Sequence, residues 1–517
     1  MKYIYLLFWA TILCLSGCSE PPIKADILIT GGMVYDGTDN PASLLDVAIL
    51  GDKIIYVGPA GHVEGKKIID GTGLIVAPGF IDPHTHSLDD LKSDQLKQNA
   101  NYLSQGVTTV FNGNDGGGSS DIAATLDMLT AHGIGTNTAL YVGQGAVRLA
   151  VMGMVDDTPT PDQMSKMKAH VKRAMEEGAF GLSSGLYYAP GSYSSTLEVA
   201  ELATMIKPYD GIYESHIRDE STYNIGLKGA VQEVIDIGKF ANVKVHVAHI
   251  KALGVDVWGQ SKDVIKMIEA AQEEGVRITA DQYPWLATGT GVRSSLLPRY
   301  VQVGGDAAMR ARLMDAKILP TIKDEMGENM LKRGGAEALL LTGGDANITV
   351  GRTLAEEAAA RKKEAIDTAI EIILEGDSNV ANFSINEDDM RDFMQRPWVM
   401  TSSDGSYGHP RKYATFPTKY RRYVVEKKYI TLQDFIHRST GLTAKTVGLK
   451  DRGTLEKGKF ADIVIFDEQE FAPKADFVNP RELSVGVKYL LVNGGLAIIE
   501  GNLTNELYGR ALKKENN

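Results

Sequence analysis

The feature that most constrains this chain is a rhythm. Eight short apolar runs, at 75–82, 107–112, 138–143, 179–183, 212–215, 243–248, 276–280 and 398–402, are separated for the most part by 20–35 residues of helical periodicity, as in 160–177 and 262–274. Strands that alternate with helices form parallel sheets, and eight such β/α units close into a TIM-type (β/α)8 barrel. The rhythm breaks once, where more than 100 residues separate the seventh run from the eighth. Helix-like stretches at 310–332 and 354–375 lie in that gap. A helical insertion at about 298–395 is therefore expected after strand seven, on the catalytic face, as a lid or substrate-binding subdomain.

The flanks have a different texture. Residues 26–30, 33–35, 47–50 and 54–57 alternate like strands, and so do 461–466 and 488–492. The expectation is a small β-sandwich domain built from both termini, 19–75 and 453–517, beside a barrel at 76–452, with 19–24 as a tether. The 517 residues are 43% hydrophobic and 23% charged, a globular composition. A net charge of −12 argues against a nucleic-acid partner, which needs a basic face.

The start of the chain points to the cell envelope. Lys2 precedes an apolar stretch from Tyr3 to Leu15, and Leu15-Ser16-Gly17-Cys18 resembles a bacterial lipobox. That stretch falls short of the ~20 residues needed to span a bilayer. Residues 1–18 are read as a lipoprotein signal peptide with Cys18 as the lipidated residue. Ser19 then favours the outer membrane, facing the periplasm. Cys14 and Cys18 are the only cysteines, so the processed protein has no free thiol and no disulfide. A metal site must be built from His, Asp and Glu.

Such residues stand at the ends of the runs. Gly79-Phe-Ile-Asp-Pro-His84-Thr85-His86 closes the first, and residues two apart in a strand share a side. The second is followed by Asn112-Gly-Asn114-Asp115. The fifth ends Glu214-Ser-His216, the sixth His246-Val-Ala-His249, and the eighth Thr401-Ser-Ser-Asp404. A closed barrel converges these ends on one mouth, and N/O donors there suit Zn2+. His246 lies three before His249, so a regular strand turns it the other way, against the outer helices.

These motifs resemble the amidohydrolase superfamily and, within it, the N-acyl-D-amino-acid deacylases. The resemblance covers nearly all of residues 25–510. It rests on Pro78–His86, Gly106-Val-Thr-Thr-Val110, Arg148–Gly153, Gly178–Gly191, His216-Ile-Arg218, His249-Ile-Lys251, Ser403-Asp404, His409-Pro-Arg411, Thr415-Phe-Pro417 and Asp451–Leu455. It implies that His84, His86 and Asp404 surround one metal position. His216 and His249 would form the core of a second, which in that family is the tightly held zinc. It further implies a metal-activated water as nucleophile, with Asp404 as general base and then acid. Lys251 and Tyr283 match residues that hold the substrate's α-carboxylate, and Tyr188 is a further contact. The family usually has cysteine at Asp115 and commonly histidine at Gln144. Asp115 then reads either as a third or bridging ligand or as a turn residue. Arg293, just after strand seven, reads either as a receptor for an acidic side chain or as a salt bridge of the lid. His409 lines the pocket or shapes its loop.

The expected reaction is zinc-dependent hydrolysis of N-acyl-D-amino acids to a carboxylate and a free D-amino acid. Other amidohydrolase reactions, on dipeptides or cyclic amides, are the nearest alternative. Run four carries no lysine to bridge two metals, which disfavours the lysine-bridged enzymes of that group. A non-catalytic zinc- or peptide-binding lipoprotein is the remote one.

Overall fold

The computed structural model describes residues 22–61 and 63–515. Cys14, Cys18 and the rest of the targeting segment lie outside them, as does His62. Among the described residues no helix is long and apolar enough to cross a membrane.

Eight parallel strand positions follow the eight runs: Phe80–Asp82, Val107–Asn112, Asn137–Leu140 with Val142–Gly143, Gly181–Gly185, Ile212–His216, Lys244–Val247, Ile278–Gln282 and Val399–Thr401. Their hydrogen bonds form two arcs, one of three strands and one of six. The third strand, interrupted at Tyr141, belongs to both. At the other seam Thr85 and Gly405 form a parallel bridge, and the Asp404 N–H donates to the His84 carbonyl at 2.9 Å. Together these contacts close a ring. The strands are too crowded for ordinary side chains at some positions. A Cβ on Gly181 would sit 1.9 Å from the Ile212 carbonyl oxygen of the next strand.

The outer helices form for legible reasons. Pro161–Glu176 starts at a capping box of Thr160 and Gln163, with Pro161 in the first turn where its missing N–H costs nothing. Its buried stripe of Met167, Val171, Ala174 and Met175 joins Val231, Val234 and Ile268 of the helices Gly226–Ala241 and Ser261–Glu273 in the largest apolar cluster. Each such side chain removed from water contributes about 1.5–3 kcal/mol.

The insertion departs from the helical one expected. It holds a three-stranded antiparallel sheet, Thr288–Gly291, Ser378–Asn382 and Leu339–Gly344, beside the helices Asp306–Met314, Leu319–Lys332, Leu354–Arg361 and Ala365–Glu375. It therefore begins at Thr288, before 298. It has its own core, in which Leu339, Leu341 and Val380 meet Val292, Leu296 and Ile372.

Both chain ends contribute to one nine-stranded hydrogen-bonded sheet, in which Val47, Ile54 and Ile69 of the N-terminal part share a core with Ile463, Ile465 and Leu491 of the C-terminal part. Ile75–Pro78 joins its halves, running parallel to Ile23–Val34 and antiparallel to Ile463–Phe466. The first apolar run thus splits at Gly79, half in this sheet and half in the barrel. The sheet begins at Ile23, inside the expected tether. Beyond 505 the chain leaves it and runs along the barrel, where Gly509 and Ala511 bridge Ile134 and Thr138.

Candidate metal centre

His84 follows the first barrel strand and is fully buried. Its Nδ1 lies 2.9 Å from Glu214 Oε1, and its Nε2 lies 3.4 Å from Asp115 Oδ1 and 3.7 Å from Asp404 Oδ1. His86 Nε2 is 3.4 Å from Asp115 Oδ2 and 3.2 Å from Asp404 Oδ1. Beneath them Asp82 accepts the backbone N–H of His84 at 3.2 Å and that of Ser403 at 3.1 Å, tying the first strand to the last. Burial pushes the Asp82 carboxyl up to about 7, against the Ser403 hydrogen bonds that lower it.

His216 and His249 face each other, Nδ1 to Nε2, at 2.9 Å. Both point at Asp115 Oδ1, from 3.7 and 3.6 Å. Burial drives the His216 imidazole down to about 3, which favours the neutral form that ligates metals. Burial and Lys251 also oppose charge on His249, but Asp404, Asp115 and Glu220 outweigh them and hold it near 9. Glu220, which the strand-end argument missed, stands 3.2 Å from His249 Nδ1 and pairs with Lys251. It lies four residues past His216, in a loop that periodicity cannot orient.

Three of these residues adopt left-handed backbone: Asp115 at φ +56°, His249 at +33° and Asp404 at +46°. Each sits where the chain turns off a strand, and such strain collects at functional sites. The turn explains a failed expectation. The strand ends at Val247, so alternation no longer relates His246 to His249. His246 points inward, with Nε2 2.7 Å from Asp281 Oδ2 and Nδ1 2.8 Å from Thr279 Oγ1. Asp281 in turn accepts the His249 backbone N–H at 2.8 Å and the Ser402 hydroxyl.

The donor set fits a divalent cation. Ligand atoms of His84, Asp115, His249 and Asp404 lie within 4.8 Å of one another, and so do those of His216, Glu220 and His249. His84 Nε2, His216 Nε2 and Asp115 Oδ1 are buried without a hydrogen-bond partner. A bound cation would satisfy these buried lone pairs. Asp115 is thus both a turn residue and the carboxylate that four imidazoles face.

The cluster forms the floor of a cavity of about 280 Å3. Lys251, Tyr283 and Tyr188 line it, as the sequence suggested. The Tyr188 ring packs on His216 at 4.7 Å, and the buried Tyr283 hydroxyl has no partner. Arg411, to which the sequence assigns no role of its own, lines it too, with Nη1 2.7 Å from Asp404 Oδ2. Burial raises the Asp404 carboxyl, but Arg411 and His249 overcome this and hold it far below the usual range. Arg293 does not line the cavity. Its guanidinium pairs with Asp306 of the insertion at 2.9 Å, the simpler of its two expected roles. His409 also lies outside, where its Nδ1 accepts the Arg411 N–H and fixes that loop. Gln144 is buried and donates to Ser194 at 2.7 Å.

Residues 388–497 match the model of an amidohydrolase family. The chain is 30% identical to a D-aminoacylase of Alcaligenes xylosoxydans xylosoxydans, across 95% of this chain and 98% of that one. It is 28% identical to an N-acyl-D-glutamate deacylase from Bordetella bronchiseptica solved with zinc and a phosphonate inhibitor (TM-score 0.81, covering 95% and 100% of the two chains). A D-aminoacylase solved to examine its binuclear metal centre is 29% identical, with a TM-score of 0.80 and the same coverage. Its sequence identity over nearly its whole length decides the assignment: the chain belongs to the D-aminoacylase family, amidohydrolases that act on linear amides.

Proposed function

We propose that the protein hydrolyses N-acyl-D-amino acids with zinc as its metal. The observation that carries this reading is the position of Asp404, 3.2 Å from an imidazole of the metal cluster on one side and 2.7 Å from Arg411 on the other. A substrate that fills this cavity needs a carbonyl for the metal and a carboxylate for the cations, and an N-acyl-amino acid has both. The D configuration is supported by the relatives' substrates.

In this reading His216 and His249 would hold the tightly bound zinc, and His84, His86 and Asp404 would surround a second, weaker position. Zinc, when bound, polarises the amide carbonyl and makes a water nucleophilic near neutral pH. The chain does the rest. Lys251, Tyr283 and Arg411 hold the α-carboxylate. As Arg411 turns to the substrate it releases Asp404, which takes a proton from the attacking water. The water oxygen bonds to the amide carbon, the C–N bond breaks, and Asp404 returns the proton to the leaving nitrogen. Tyr188 walls the site against His216.

The decisive experiment is turnover of paired N-acetyl-D- and N-acetyl-L-amino acids by the metal-analysed enzyme lacking residues 1–18. Release of the D-amino acids alone, lost in Asp404→Asn, is expected. Turnover of L substrates, or of none with zinc present, overturns the reading. Location is a separate proposal, resting on the apolar stretch and Leu15-Ser-Gly-Cys18: the protein is a lipoprotein of the outer membrane, facing the periplasm. Radiolabelled palmitate should enter the wild type and not Cys18→Ala; equal labelling refutes it.

A further inference from the structure

Three cations of the chain line the catalytic cavity: Lys251, Arg411 and Arg333. Two have carboxylate partners, Glu220 for Lys251 and Asp404 for Arg411. Arg333 has none among the described residues, although it is 1% exposed. A buried guanidinium without a counter-charge is costly, because desolvation is not repaid by attraction. It persists where function supplies the anion.

The chain has also aimed this group. Nε donates to the Ser295 carbonyl at 3.1 Å, Nη1 to Asn382 Oδ1 at 3.3 Å and Nη2 to the Tyr187 hydroxyl at 2.8 Å. A guanidinium has five N–H donors, so each terminal nitrogen keeps one uncommitted. Asn382 also donates to the Arg333 carbonyl at 2.8 Å, which locks the residue from behind. Tyr187 is held in turn, its hydroxyl donating to Ser294 O at 2.8 Å and its ring under the Arg299 guanidinium at 3.9 Å. A preset, planar, doubly donating cation is a carboxylate receptor.

Its position separates it from the other two. Lys251 Nζ is 2.8 Å from His249 Nδ1, and Arg411 touches Asp404, so both stand next to the reacting amide. The partners of Arg333 belong to the insertion and to Tyr187, whose ring lies 5.7 Å from that of His216, on the side of the cluster away from Asp404 and its Arg411 partner. An α-carboxylate, one bond from the carbon that bears the amide nitrogen, belongs with the first two. We infer that Arg333 receives the side-chain carboxylate of the substrate, and that this enzyme prefers acidic D-amino acids, D-glutamate or D-aspartate. The inference rests on the reading of the cavity as a deacylase site. It also moves to Arg333 the role that the sequence offered to Arg293.

The test compares kcat/KM for N-acetyl-D-Glu, N-acetyl-D-Asp, N-acetyl-D-Gln and N-acetyl-D-Leu. In the wild type an acidic substrate should exceed N-acetyl-D-Gln by about tenfold or more, since D-Gln keeps the shape of D-Glu and lacks the charge. In Arg333→Met the ratio of acidic substrate to D-Leu should fall about a hundredfold, with Arg333→Lys between. The wild-type comparison needs no folded variant. Equal rates on D-Glu, D-Asp and D-Gln in the wild type overturn the inference while leaving the deacylase reading intact. So does a parallel loss on acidic and apolar substrates in Arg333→Met, the signature of an α-carboxylate or purely structural role. No turnover of any D substrate overturns both.

Discussion

Arg411 Nη1 lies 2.7 Å from Asp404 Oδ2, and both side chains are buried, at 1% and 6% exposure. One charge therefore sets the state of the other. Asp404→Asn should lower kcat by about 10^3, within the usual range for a positioned general base. Arg411→Met should cost a similar factor in kcat/KM, because it strips the cavity of a carboxylate-binding cation and leaves Asp404 without its partner. Steady-state kinetics on one good substrate, with zinc content measured in parallel, checks both. An Arg411→Met enzyme within threefold of wild type would refute the coupling.

Asp281 reaches the metal cluster without belonging to it. It accepts the His249 backbone N–H at 2.8 Å, the His246 Nε2–H at 2.7 Å and the Ser402 hydroxyl. Asp281→Asn keeps an acceptor for His249 but cannot accept from all three. Zinc affinity should fall about 10–100-fold, as when partners that orient ligands are lost. Competition with a chromophoric chelator measures it, and an unchanged dissociation constant would assign Asp281 to packing alone.

How much of this was legible in the sequence depends on which period each residue obeyed. The eight runs marked eight barrel strands because strand and helix alternate cleanly there. His84 and His86 both lie past the strand's end at Asp82, but the bridge of Thr85 to Gly405 keeps the chain extended there, so a period of two still paired them. The same rule failed for His246 and His249, because the strand ends between them and His249 takes φ +33°. Asp281 stood at the end of the seventh run and could have been read by the same strand-end rule, whereas Glu220 and Arg333 carried no local signal, since they reach the site or its ligands through loops and long-range packing. The insertion's strands were missed because Leu339–Gly344 and Ser378–Asn382 are short and pair with each other rather than with the barrel. Arg293 was singled out by closeness in sequence to strand seven; Arg333, forty residues on, is the one that folds back into the cavity.

Asp115 gives the site a carboxylate oxygen at the position for which the family resemblance implied a cysteine. Its Oδ1 stands within 3.7 Å of His84, His216 and His249. A carboxylate is a harder donor than a thiolate, so this site should discriminate less between zinc and manganese. Asp115→Cys should raise zinc affinity over manganese by about tenfold in chelator competition. It should also lower Tm slightly, because φ +56° suits Asp better than Cys. An unchanged zinc-to-manganese ratio would mean that Asp115 is no ligand.

Lys419 makes stability depend on pH in an unusual direction. Its ammonium is 1% exposed and has no hydrogen-bond partner. Burial, helped by Arg438 and opposed by Asp281, pulls its pKa down to about 7. In the unfolded chain a lysine titrates near 10.4. Between these values the unfolded state holds a proton that the folded state has released, so this residue makes stability rise with pH. Below about 7 both states are charged, and the fold carries the whole cost of burying the ammonium. Lys419→Met keeps the stem and removes the charge. It should raise Tm by several degrees below pH 7, with the gain shrinking as pH approaches 10. Thermal melts from pH 6 to 10 read this directly. A change in Tm that does not vary with pH would show that Lys419 titrates in the fold as it does in the unfolded chain, and would refute this account.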